Sequence, residues 1–149
     1  MKNMHDPATM EELIQRINVL TPATQRQWGK MDVAQMMAHL SNSLEVSTGD
    51  KVYKQAFMGM IFGKIAKKSV TSEKPLRQGV PTAPGFLVVG SKDFNTEKQR
   101  LITLMKRLSA ADPASLATKT HPFFGRMTPQ EWNLVNYKHL DHHFRQFGA

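Results

Sequence analysis

The chain has 149 residues, 40% of them hydrophobic, with 20 Lys and Arg against 12 Asp and Glu and a net charge of +8. This predicts one globular domain over residues 1–149 with a single core. The absence of Cys excludes disulfides, thiolate metal sites, a catalytic Cys and iron–sulfur clusters. A basic balance suits nucleic acid, anionic lipid and anionic small molecules alike, so charge alone selects no partner.

No apolar run opens the chain, and its most apolar stretch, Ala56 to Ala66, is too short for a bilayer span of ~20 residues and contains Lys64. The expectation is a cytoplasmic protein with no stable membrane association. Thr9 followed by Glu12 is a capping-box pattern that predicts a helix from Met10 to Leu20, stopped by Pro22. Asp32 with Gln35 opens a second helix, Val33 to Thr48, ended by Gly49. Its stripe is Val33, Met36, Met37, Leu40 and Leu44, with His39 at the margin.

Tyr53 to Lys68 predicts a third helix, apolar nearly all round and weakened by Gly59 and Gly63. From Ser69 to Phe94 the chain carries Pro75, Pro81, Pro84, Gly79, Gly85 and Gly90. This reads as a long irregular connection, with a short extended piece at Phe86–Val89. Asn95 or Thr96 caps the next helix, whose stripe is Leu101, Ile102, Met105 and Leu108, and Asp112-Pro113 ends it. Thr128-Pro129-Gln130-Glu131 starts a last helix that runs to Phe147. Strand signals are scarce, so the fold class is all-α, a bundle of four long helices with one long crossover.

Helical rotation sorts the last helix. With Trp132 at 0°, His139 and His143 fall at about −20° and 20°, in the centre of the apolar face. Lys138, Asp141 and Arg145 are expected on the solvent side. His142 lies at the edge of the apolar face, and Gln146 and Asn136 lie on it, as outer contacts of a site or merely partners of nearby backbone. Two imidazoles at i and i+4 on a buried stripe need satisfied nitrogens. One ion meets that need, and so do hydrogen bonds to buried acceptors. His121 opens a loop, His-Pro-Phe-Phe-Gly, that leads towards the site or simply forms a turn. His5 sits in a terminus expected to be loose.

The segment His121-Pro-Phe-Phe-Gly-Arg-Met-Thr-Pro-Gln-Glu-Trp and the closing Tyr137-Lys-His-Leu-Asp-His-His-Phe-Arg-Gln-Phe-Gly148 resemble the DinB/YfiT-like superfamily, as does Trp28-Gly-Lys-Met-Asp-Val-Ala-Gln-Met-Met-Ala-His-Leu40. The resemblance is to an uncharacterised bacterial subfamily. It implies a four-helix bundle holding a divalent transition metal on three histidines, here His39, His139 and His143. Imidazole ligands suit zinc, nickel, copper and iron, with zinc and nickel the leading expectations. Members of the superfamily include metal-dependent transferases of low-molecular-weight thiols and others implicated in metal-assisted hydrolysis or isomerisation, so a hydrolase is the second expectation. A transferase implies a small-molecule substrate and a thiol co-substrate, for which Asn136, His142, Gln146 and His121 are the candidate outer or substrate contacts. The alternative is a metal-binding bundle without catalysis.

A nucleic-acid surface would use Lys51, Lys54, Lys64, Lys67 and Lys68, but rotation scatters them, so no nucleic acid is expected. Phe57, Met58, Met60, Ile61 and Phe62 are expected to form core, a lid or a homodimer contact rather than to dip into lipid.

Overall fold

The structure, a computed structural model, describes residues 2–72, 74–80 and 82–149. It is mostly helical. Among the described residues, α1 spans Pro7–Asn18, α2 Val33–Thr48, α3 Phe57–Val70, α4 Phe94–Ala110, α5 Pro113–Leu116 and α6 Pro129–Gln146. Between α5 and α6, β1 (Thr120–His121) and β2 (Gly125–Arg126) form a minimal antiparallel hairpin. None of these helices is long and apolar enough to cross a membrane.

Four helices share the core. α1 and α2 each pack on α4 and α6, and α2 against α4 is the most extensive contact. Leu13 and Ile17 of α1, Met36, Met37, Leu40 and Leu44 of α2, Leu101, Met105 and Leu108 of α4, and Trp132, Leu140 and Phe144 of α6 meet there. The α2 and α4 residues are those read from the periodicity, with Leu104 buried where Ile102 was expected and Ile102 at the margin, while Leu140 and Phe144 of α6 lie beside the face expected of that helix.

The caps explain where local reading succeeds and where it slips. Asp32 and Gln35 form the expected reciprocal box on α2, and Gly49 ends it with φ 86°. Thr128 and Glu131 do the same for α6. α1, however, starts earlier than expected. Asp6 is its cap and Pro7 occupies the first turn, while Thr9 lies inside the helix and donates to Asp6 Oδ2 at 3.1 Å. α4 is capped by Asp93, whose Oδ1 accepts from Thr96 N–H at 2.8 Å, not by Asn95 or Thr96. An ionised carboxylate two or three residues further out captures the free N–H groups more strongly than a hydroxyl or an amide. Asp112-Pro113, expected only to end that helix, caps the one-turn α5.

The N-terminal segment is pinned rather than loose. Met4 is buried, its N–H donates to Asn133 Oδ1 at 2.8 Å, and His5 Nδ1 bonds Ser109 O at 3.0 Å.

α3 departs furthest from expectation. It begins at Phe57, because Ala56 N–H is drawn to Pro122 O at 2.8 Å and holds the preceding residues extended. It ends at Val70, two residues late, and it does not join the core. It rides on the hairpin through Gly59 and Gly63, over the Phe123 carbonyl. Its large apolar side chains therefore point outwards, and the expected core placement fails. A Cβ on Gly63 would strike the Phe123 carbonyl oxygen. Gly63→Ala is expected to lift α3 off the hairpin. Because α3 carries so little core, the thermal midpoint should fall by only a few degrees, while proteolysis within residues 57–70 accelerates sharply. Unchanged proteolysis would count against this packing.

The connection that follows is irregular, as expected, with a 3-10 turn at Pro84–Phe86. That turn includes Phe86, the first residue of the expected extended piece, and no strand forms there. Pro81, one of its sequence markers, lies outside the described residues. Lys138 of α6 ties the start of the connection down. Its ammonium donates to the carbonyls of Val70, Ser72 and Lys74 at 2.8, 2.8 and 2.6 Å. Lys138 and Asp141, expected in solvent, are therefore half-buried, Asp141 being held by Arg16 at 2.9 Å and Arg145 at 2.8 Å. Of the three, only Arg145 is exposed.

Candidate metal centre

α2 and α6 pack side by side, and their contact brings three imidazoles together. His39 comes from α2, His139 and His143 from successive turns of α6. Their ring centroids form a near-equilateral triangle with sides of 4.9, 4.9 and 4.8 Å. One ring nitrogen from each lies within 4.8 Å of the other two, an arrangement that could hold a metal ion. His39 and His143 are buried and His139 half-buried. The margin position of His39 faces inward because α2 touches α6 as well as α4.

Hydrogen bonds set the ring orientations. The Phe86 carbonyl, from the 3-10 turn, lies 3.1 Å from His39 Nδ1. A carbonyl only accepts, so His39 Nδ1 carries the proton and Nε2 offers a lone pair. On His143, Nδ1 lies 2.7 Å from Gln146 Oε1. The orientation of that amide follows from its other end, where Gln146 Nε2 donates to Trp28 O at 2.7 Å. His143 Nδ1 is thus a donor, and its Nε2 also keeps a lone pair. His139 Nε2 approaches His39 Nε2 at 3.0 Å. With His39 as acceptor, His139 is the donor, and moving that one proton to its other nitrogen leaves three Nε2 lone pairs in the cluster. Two ligand nitrogens at 2.0–2.1 Å from a tetrahedral ion are separated by about 3.3 Å, a few tenths beyond the distance seen. Three neutral imidazoles with nitrogens this close are a donor set that could hold a divalent transition metal.

Electrostatics favours neutral rings. Burial pushes the His39 pKa below its ordinary value, partly offset by the Phe86 bond. Burial lowers His143 to about 3, with the neighbouring His39 contributing. His139 is driven well below the usual imidazole range by burial, then by His143 and His39. Neutral imidazole is the ligating form, so the site needs no deprotonation at neutral pH.

The other sequence candidates surround this cluster without entering it. His142 is half-buried, edge-on to Trp28 at 5.7 Å and to His143 at 5.1 Å. Asn136 is buried, and its Oδ1 accepts from Ser47 Oγ at 2.9 Å while its Nδ2 has no partner. His121 stays in its loop. Its Nδ1 accepts from the N–H groups of Phe123 and Phe124, both at 3.1 Å, and its ring stacks on Phe124 at 4.3 Å. These bonds organise the turn, and burial lowers its pKa to about 4. Of the four, Gln146 alone bonds a ring of the triad.

Sequence reading missed two supports. The Phe86 carbonyl has no side-chain signature. Gly29 does: its φ is 84°, and a Cβ there would collide with Gln146 Nε2. The Trp28-Gly29 pair thus presents a carbonyl to Gln146 and leaves room for its amide. Gln146→Leu is expected to weaken metal binding by roughly 10–100-fold while the chain stays folded, because His143 loses the acceptor that fixes its tautomer. Isothermal titration with zinc measures this, and unaltered affinity would remove Gln146 from the site.

The chain belongs to the family described as Protein of unknown function (DUF1569), which it matches over residues 4–149. No curated protein and no solved structure matches it.

Proposed function

We propose that this chain is a DinB/YfiT-like metalloprotein in which His39, His139 and His143 hold a divalent transition metal, zinc or nickel, and that it catalyses transfer of a low-molecular-weight thiol to an electrophilic small molecule. The observation that carries the reading is the hydrogen-bonding of His39 and His143, which turns Nε2 of each into the cluster. Helices from the two ends of the chain sharing one core, and the long connection between, support the bundle assignment. A divalent ion on three protein ligands keeps open positions, where it lowers the pKa of a thiol or water.

The chain's own residues have defined tasks in this reading. Phe86 O and Gln146 Oε1 hold two rings in their ligating tautomers.

The test compares metal-loaded protein, chelated protein and His143→Ala for thiol addition to an epoxide or activated aryl halide, using several cellular thiols. The expected result is turnover that requires metal and reaches its plateau at a pH below that of free-thiol attack. Equal rates with and without metal would reject the transferase. Stoichiometric metal without turnover of any thiol or ester would establish the metal-binding protein without catalysis.

A further inference from the structure

Residues 51–72 contain five Lys and no Asp or Glu. α3 occupies most of this stretch and lies outside the core, seated by two glycines. Phe57, Met58, Met60, Ile61, Phe62 and Ile65 are between 48 and 74% exposed. Helical rotation spreads these six over an arc of about 200°, centred opposite Gly59 and Gly63. Lys64 and Lys68 are exposed inside the same arc, and Lys54 is exposed just before the helix. Lys51 and Lys67 are committed elsewhere, to Glu45 at 2.7 Å and Glu131 at 3.1 Å. Lys54, Lys64 and Lys68 form no ion pair among the described residues.

We propose that the outer face of α3 is an interfacial docking surface for an anionic lipid bilayer. Three features select lipid. A helix seated in a protein groove needs an apolar seam of about 100°, whereas one sunk to its midline in a membrane surface presents about half its circumference, as α3 does. Large apolar side chains with interspersed lysines match a layer whose headgroups are negative and whose interior is hydrocarbon, the long Lys stems reaching back to the headgroups. A second copy packed face to face through a two-fold axis would bring the same lysines together with no acid on the face to meet them. Docking is peripheral and reversible, none of the helices among the described residues being long and apolar enough to span a membrane.

The full chain is sedimented with vesicles of phosphatidylcholine alone and with vesicles carrying about a third phosphatidylglycerol, at about 0.1 M and about 0.5 M salt. Binding is expected to the anionic vesicles at low salt, at least tenfold weaker to neutral vesicles, and reduced by high salt. Lys64→Glu/Lys68→Glu and Ile61→Ser/Ile65→Ser should each lower it at least tenfold. All of these side chains are exposed, and circular dichroism confirms that the variants fold. Ile61→Trp places a reporter on the face, and the emission of that variant should move to the blue with anionic vesicles. The proposal is overturned if the chain stays in the supernatant, if both double variants bind as the parent does, or if the emission of Ile61→Trp stays fixed. It is equally overturned by a concentration-dependent dimer that Ile61→Ser/Ile65→Ser dissolves without any effect of lipid.

Discussion

His139→Ala and His143→Ala are each expected to abolish stoichiometric metal binding, with affinity falling by more than the roughly 10–100-fold carried by outer partners. Each substitution removes a coordinate bond and leaves two nitrogens on a tetrahedral ion that now needs solvent in two positions. His39→Ala should behave alike, because its Nε2 lies 3.0 Å from that of His139. His142→Ala should retain one ion per chain. Its ring faces Trp28, and it lies about 60° from His139 around the helix. Metal analysis of protein purified without an affinity tag, followed by zinc titration, reads the result directly. Equal loss in all four variants would show that His142 belongs to the ligand set, and unchanged binding in His143→Ala would remove the site.

The metal-free chain is expected to lose stability steeply on mild acidification. His121 and His143 have folded pKa values of about 4 and about 3, both lowered by burial from 6.5. The unfolded chain therefore binds these protons as pH falls through 6.5, while the folded chain refuses them until about 4 and about 3. The stabilisation is complete above pH 6.5 and is lost as pH falls through this window. At pH 5 the deficit is about 2 kcal/mol for each of the two groups. His39 and His139, also lowered, act in the same direction. Against a typical total of roughly 5–15 kcal/mol, this is enough to bring the unfolding midpoint within reach of pH 5 at room temperature. Urea titrations at pH 7 and pH 5 test it. Zinc should raise the midpoint at pH 7 and do little at pH 5, where protons compete for the imidazoles of the unfolded chain and any partly open site. A flat profile between pH 7 and pH 5 would mean the rings are not buried as seen.

The periodicity of α2 and α4 by itself marked most of the side chains those helices bury, because one apolar stripe per helix has only one way to leave water, while packing decided the edges of each stripe, burying Leu104, Leu140 and Phe144 and leaving Ile102 at the margin. The reciprocal caps at Asp32 and Thr128 were equally plain, since both partners lie within one turn. Rotation also placed His139 and His143 on one buried face, because both belong to one rigid helix. His39 was different. Its own helix left it at the margin, and only the packing of α2 on α6 turned that margin into the third corner of the cluster.

The tautomers of the triad were beyond local reading for a similar reason. They depend on the Phe86 and Trp28 carbonyls, backbone groups that any residue type carries and that arrive through the connection and the loop before α2. α3 shows the opposite limit. Its composition resembles core, yet Gly59 and Gly63 seat it against the Phe123 carbonyl and turn its large residues outwards. Helical propensity and hydrophobicity decided that this segment would coil, while the close approach of two backbones decided which way it would face.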